Sequence, residues 1–191
     1  MIATGWARSP DVIADRWAEA PDFPAWLETV ARHRDAWRSA VGRAAVPADL
    51  AARARAVAGR WHLLVLTEDW CGDAIAAVPV IAAVAGCTAS MQLRCLPRDR
   101  NLDLMDEHLT DGQRSIPKLL VYDDAFIERG SWGPRPAGLQ AWVLAEGRRL
   151  PSATRYEYIH AWHSRDAGRS VIAEMLDAIE RSAADASAAS A

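Results

Sequence analysis

The sequence predicts an α/β protein: a mixed sheet with helices on both faces, an N-terminal helical extension and a long C-terminal helix. Three observations predict it. A continuous apolar run, His62-Leu-Leu-Val-Leu-Thr67, has the signature of a strand covered on both faces. A helical segment from Cys71 to Val84 leads to an alternating strand, Met91-Gln-Leu-Arg-Cys-Leu96. Lys118-Leu-Leu-Val-Tyr122 and Phe126-Ile-Glu-Arg129 then flank an Asp123-Asp124 turn, the pattern of a β-hairpin. Two parallel strands joined through a helix and followed by an antiparallel hairpin make a mixed sheet.

The remaining elements follow in order. Asp22 is a helix cap with Pro24 in the first turn, and Trp26, Leu27, Val30, Trp37 and Val41 fall near one stripe that ends at Gly42. Pro47 opens a second helix, with Leu50, Ala54 and Val57 on one face and Gly59 as its stop. Gly86 ends the helix that starts at Cys71. Asn101 caps a helix that gathers Leu102, Met105 and Leu109 and stops near Gly112. After Trp132-Gly-Pro134, residues 137–145 return to helix, closed by Gly147. Pro151 and Ser152 start the last helix, which packs Ile159, Trp162, Ile172, Leu176 and Ile179 on the body. The predicted organisation is an extension over 1–59, a core over 60–150, a packed C-terminal helix over 151–184 and a frayed Ala/Ser-rich tail over 185–191.

Composition narrows the function classes. A formal net charge of −3 gives no reason to expect a nucleic-acid groove. The arginines of Arg53-Ala-Arg-Ala-Val-Ala-Gly-Arg60 read as the solvated face of a helix. No apolar run approaches the roughly 18 residues of a membrane span. The N-terminus carries no charged region ahead of an apolar core. Three irregularly spaced cysteines do not form a secreted disulfide framework. The expectation is a cytoplasmic protein in a reducing compartment, with no nucleic-acid or membrane partner; the oligomeric state is left open.

The run Trp70-Cys-Gly-Asp-Ala74 lies directly after the buried strand and opens a helix. Pro79 falls eight residues after the cysteine, and Ile116-Pro117 precedes the hairpin. Together these resemble the thioredoxin family, with its active-site turn, kinking helix proline and cis-proline facing the cysteine. Leu66-Thr-Glu-Asp-Trp-Cys-Gly-Asp-Ala74, Arg114-Ser-Ile-Pro-Lys118 and Trp132-Gly-Pro-Arg-Pro136 are similar to a branch of bacterial thioredoxin-like proteins. The resemblance implies a thioredoxin fold and a site built on Cys71. Trp70, Gly72, Asp73, Arg114, Ile116, Pro117 and Trp132 would be its substrate-binding residues. Two departures matter. A resolving cysteine would stand at Ala74, and the acid that assists it would stand near Val65, so dithiol reductase chemistry within the motif is not expected.

Cys71 is expected to be exposed and moderately reactive. A thiol at a helix N-terminus meets unpaired N–H groups and the positive end of the macrodipole, worth roughly 0.3–1 kcal/mol to the thiolate. Asp73, taken as about 6 Å away in water-like surroundings, opposes this by on the order of 0.7 kcal/mol, half a pKa unit. The two nearly cancel. Cys87, past the helix end, is too far along the axis to resolve a disulfide, and Cys95 reads as a core filler. Glu68, Asp69 and Asp73 form an acidic rim around the cysteine. His160 and His163 share a face at i, i+3 but lack a third ligand, so a surface or packing role is expected and no metal site.

Three function classes stay open. A monothiol exchanger would form a mixed disulfide at Cys71 with a protein or small-molecule disulfide, released by an external low-molecular-weight thiol and needing no bound cofactor. A non-catalytic module would keep the fold as a binding platform. A peroxide sensor would pass through a sulfenic acid.

Overall fold

The computed structural model describes residues 9–189. Four strands form one sheet in the order β2-β1-β3-β4: β1 (Trp61–Thr67), β2 (Met91–Pro97), β3 (Lys118–Tyr122) and β4 (Glu128–Trp132). β1 runs parallel to β2 and antiparallel to β3, and β3 pairs antiparallel with β4. Val65 faces Cys95 on one side and Leu119 on the other. Every residue of β1 and β3 is buried. Because successive side chains point to opposite faces, both faces of the sheet centre are covered, as the unbroken apolar runs predict.

The helix α5 (Gly72–Ala85) connects β1 to β2, with Pro79 inside it and Gly86 at its C-cap. The chain before β1 is helical: α1 (Pro10–Glu19), α2 (Phe23–Thr29), α3 (Arg34–Arg43) and α4 (Ala48–Ala56). The single helix expected from Asp22 to Gly42 is two helices. Asp22 caps α2 by accepting from the Ala25 N–H at 2.9 Å, but the chain breaks after Val30 and His33 turns left-handed at φ 55°. The cause is long-range. The Asp69 carboxylate accepts the backbone N–H groups of Ala31 and Arg32 at 3.0 and 2.8 Å, and the Trp37 indole donates to the Asp69 carbonyl at 2.9 Å. Trp37 is fully buried against Trp26, while Val41, assigned to the same stripe, is exposed.

Beyond β2, α6 (Leu102–Asp106) is one short turn of helix. It leaves Leu109 outside and exposed, and the Asn101 amide donates to the Pro97 carbonyl instead of capping it. After the hairpin come α7 (Ala137–Ala145), α8 (Ser152–Asp166) and α9 (Arg169–Ala189). The expected long C-terminal helix is thus interrupted. Ala167 and Gly168 adopt φ 50° and 80°, and a Cβ on Gly168 would stand 2.7 Å from Val80 Cγ1. Close approach to α5 therefore requires glycine at this left-handed position. α9 packs along β4 and against α5, burying Val171, Ile172, Met175, Leu176 and Ile179. The backbone of α9 extends through most of the tail expected to fray, and residues 190 and 191 lie outside the described residues. No described helix is long and apolar enough to cross a membrane.

Of the nine tryptophans, Trp17, Trp26, Trp37, Trp61 and Trp132 are buried in the main core. Trp142 and Trp162 pack on a second cluster of Leu139, Val143 and Ile159 between α7 and α8. Trp70 is 37 % exposed.

Candidate functional site around Cys71

The parallel strand β1 delivers the chain to the N-terminus of α5, and Cys71 is the N-cap residue there. Its Sγ lies 3.4 Å from the Ile116 carbonyl oxygen, so the thiol donates to the residue before a proline. Ile116–Pro117 is a cis peptide bond, as the sequence resemblance implied. Gly133–Pro134 is a second one, on the neighbouring loop. A Cβ on Gly133 would stand 2.2 Å from the Pro117 carbonyl oxygen, so these two loops meet backbone to backbone.

Cys71 is buried, only 8 % exposed, which corrects the expectation of an exposed thiol. Burial pushes its pKa up to about 11, and the Asp73 carboxylate adds to the rise. The backbone N–H groups of Ala74 and Asp73, with Arg135, pull the other way but do not prevail. The expectation of a moderately reactive thiol weighed the helix end against Asp73 and left out desolvation, which is the larger effect for a group withdrawn from water. Cys95 is fully buried opposite Val65 and its thiol is raised further by burial. The Cys87 Sγ donates to the Ala83 carbonyl at the far end of α5. All three cysteines are free.

The acidic rim does not form. Asp73 is buried and makes two hydrogen bonds with the Arg135 guanidinium, at 2.8 and 2.6 Å. His163 Nε2 is 3.8 Å from the same carboxylate. Asp69 ties the break between α2 and α3, and Glu68 accepts the Asp99 N–H at 2.8 Å. Three carboxylates that look solvent-facing in sequence are each engaged by another element.

The other predicted residues divide. Trp70, Gly72, Asp73, Ile116 and Pro117 surround Cys71 through the chain and the Ile116 contact. Trp70 carries the Arg98 guanidinium over its ring at 5.1 Å. Arg114 is paired with Asp106 at 2.5 and 2.7 Å on the exposed surface, so its charge is already matched there. Lys118 is buried, donates to Thr110 Oγ1 at 3.3 Å, and has its pKa lowered by desolvation. The Trp132 indole donates to Glu174 on α9 at 2.8 Å, so its neighbour Gly133, through the backbone, is what meets the Pro117 loop. Sequence reasoning missed Arg135, although it lies inside the Trp132–Pro136 motif, because nothing local marks its partner 62 residues away. It also gave His160 and His163 no part here; His160 Nε2 stands 3.7 Å from where a Gly72 Cβ would be. Among the described residues no group of three His, Cys, Asp or Glu side chains could hold a metal ion.

Two solved structures share this architecture. One is a protein of unknown function, PA1234, from Pseudomonas aeruginosa. It aligns with a TM-score of 0.69 at 22 % identity over 87 % of this chain and 96 % of that one. The other is an HIV epitope scaffold, with a TM-score of 0.68 and the same identity and coverage. At that identity the likeness speaks for the fold alone. No curated protein matches. A family model described as thioredoxin matches residues 20–155, more than half of the sequence and all of the sheet. The chain therefore belongs to the thioredoxin-like family.

Proposed function

We propose that this chain is a thioredoxin-like binding module in which Cys71 is a protonated packing and hydrogen-bonding group and not a nucleophile. The observation that carries this reading is the Cys71 thiol itself: withdrawn from water, beside a carboxylate, and donating to the Ile116 carbonyl at 3.4 Å. That carbonyl, next to a cis-proline, is the group an extended substrate would take in strand pairing. Here the thiol already occupies it. Ala74 and Val65, standing where a resolving cysteine and its assisting acid would be, agree with a site that has left exchange chemistry.

Monothiol exchange is the second reading, favoured by one specific observation: Cys71 caps α5 directly against the cis-Pro117 loop, so a disulfide docked on that loop would be delivered onto Sγ. In that case Cys71 would attack one sulfur of an external disulfide, the other sulfur would leave as a thiolate, and an external thiol would release the mixed disulfide. A disulfide challenge separates the two readings. The protein is incubated at pH 7.5 with an excess of oxidised glutathione or of an aromatic disulfide, and adducts are mapped by peptide mass spectrometry. The binding reading expects Cys71 to stay unmodified, while the Cys71→Ser variant, which keeps a donor for the Ile116 carbonyl, still folds with a cooperative melt. A stoichiometric mixed disulfide on Cys71 that added thiol reverses would establish exchange and end the binding reading.

A further inference from the structure

A groove with a volume of about 850 Å³ lies between α3, α5 and α8. That falls within the 300–1,000 Å³ usual for small-molecule sites. Its floor is α5, from Gly72 beside Cys71 to Val80, where α8 gives way to Gly168. The eight helical steps from Gly72 to Val80 make that floor about 12 Å long. Ile75, Ala76 and Val80 make it apolar, and Ala36 and Ala40 of α3 keep one wall low.

Arg43 is the charged side chain of the polar lining. Arg43, three imidazoles (His33, His160 and His163) and two serines face the groove, and no carboxylate lines it. The Asp73 carboxylate, beside His163, is paired with Arg135. His163 is nine-tenths buried, and its buried Nε2 is turned to the Asp73 carboxylate, 3.8 Å away, so Arg43 is the group the groove offers to an anion. The imidazoles are not gathered closely enough to hold a metal ion.

We propose that this groove binds a small organic acid with an apolar body, its carboxylate paired with Arg43 and its chain laid along Ile75, Ala76 and Val80. This deepens the reading of the chain as a binding module by naming the class of ligand. A cationic ligand finds no counter-charge in the lining, and a neutral one forms no ion pair with Arg43.

The test uses decanoate, decanol and decyltrimethylammonium, all below their aggregation limits, titrated into the full chain by calorimetry with amide chemical shifts recorded. Decanoate is expected to bind at one site, shifting the amides of Ala36, Ala76 and His163, with decanol and the ammonium at least tenfold weaker. Arg43→Glu should weaken decanoate about tenfold, and Ala40→Phe, which fills the groove from α3, should abolish binding without lowering the melting temperature. Equal affinity for the three probes, or decanoate binding that both variants leave intact, would overturn the proposal. The failures are distinguishable. A reactive Cys71 with decanoate still bound in the groove removes only the reading of the cysteine, whereas an inert Cys71 with no decanoate binding removes only the groove ligand.

Discussion

The buried ion pair behind Cys71 gives the sharpest prediction about how the site is held. Asp73 and Arg135 side chains are 7 % and 16 % exposed, and two hydrogen bonds of 2.8 and 2.6 Å join them. At an effective dielectric of 20, opposite charges about 4 Å apart attract by roughly 4 kcal/mol. Breaking one partner of such a pair typically costs about 3–5 kcal/mol, because the survivor stays buried and uncompensated. Asp73→Asn and Arg135→Gln should therefore each lower the unfolding free energy by about 3 kcal/mol. The double variant should lose well under the sum, with a coupling energy of at least about 2 kcal/mol in a urea-unfolding cycle at pH 7. The exposed Asp49–Arg169 pair in the same protein should show no measurable coupling. The thiol supplies an independent readout. Removing the Asp73 charge should lower the Cys71 pKa and speed its alkylation at pH 8.5, while removing Arg135 should raise the pKa and slow it. A coupling energy below about 0.5 kcal/mol, or alkylation rates that move in the same direction in both variants, would refute this account of the pair.

Three further outcomes follow from named contacts. The folded-state pKa of Cys71 is raised from 9.0 to about 11, so its stabilising contribution is complete below pH 9 and is lost as pH rises towards 11. Two units correspond to about 3 kcal/mol, and urea melts between pH 8 and 11 should show Cys71→Ala losing less stability than wild type across that window. Asp69→Ala removes the acceptor for two backbone N–H groups and should cost about 1–2 kcal/mol, with faster hydrogen exchange confined to Ala31 and Arg32. Gly168→Ala combines φ 80° with a Cβ 2.7 Å from Val80 Cγ1 and should cost about 1–3 kcal/mol, read as a lowered urea midpoint with an unchanged m-value.

The sheet was legible because its signals are local. β1 and β3 are short apolar runs with both faces covered, and α5 opens and closes on residues that sequence reasoning names, Cys71 and Gly86. Ile116–Pro117 could be placed opposite Cys71 because the resemblance to thioredoxins implies it; spacing alone does not bring residues 45 apart together. What was not legible depends on contacts remote in sequence. The helix expected across 22–42 breaks because Asp69, 38 residues from Ala31, takes its N–H groups. Asp73 reads as a surface charge until Arg135 arrives from beyond the hairpin. The break at Ala167-Gly168 left a trace, a glycine within a helical pattern, but its reason is the closeness of Val80. Cys71 was expected to be exposed and is buried: the helix-end and charge effects can be estimated from spacing, whereas desolvation depends on what covers the thiol.

The most direct test of the central claim is the alkylation rate of Cys71 against pH, measured beside a short cysteine peptide. With a pKa of about 11, the thiolate fraction at pH 7.5 is about 3 × 10⁻⁴, against about 0.1 for an ordinary thiol near 8.5. The greater nucleophilicity of the more basic thiolate restores roughly tenfold. The account predicts Cys71 reacting about 30-fold more slowly than the peptide at pH 7.5, before any shielding by burial, with no plateau below pH 10. A rate equal to or above that of the peptide, or a plateau below about pH 8.5, would contradict it and identify Cys71 as a working nucleophile.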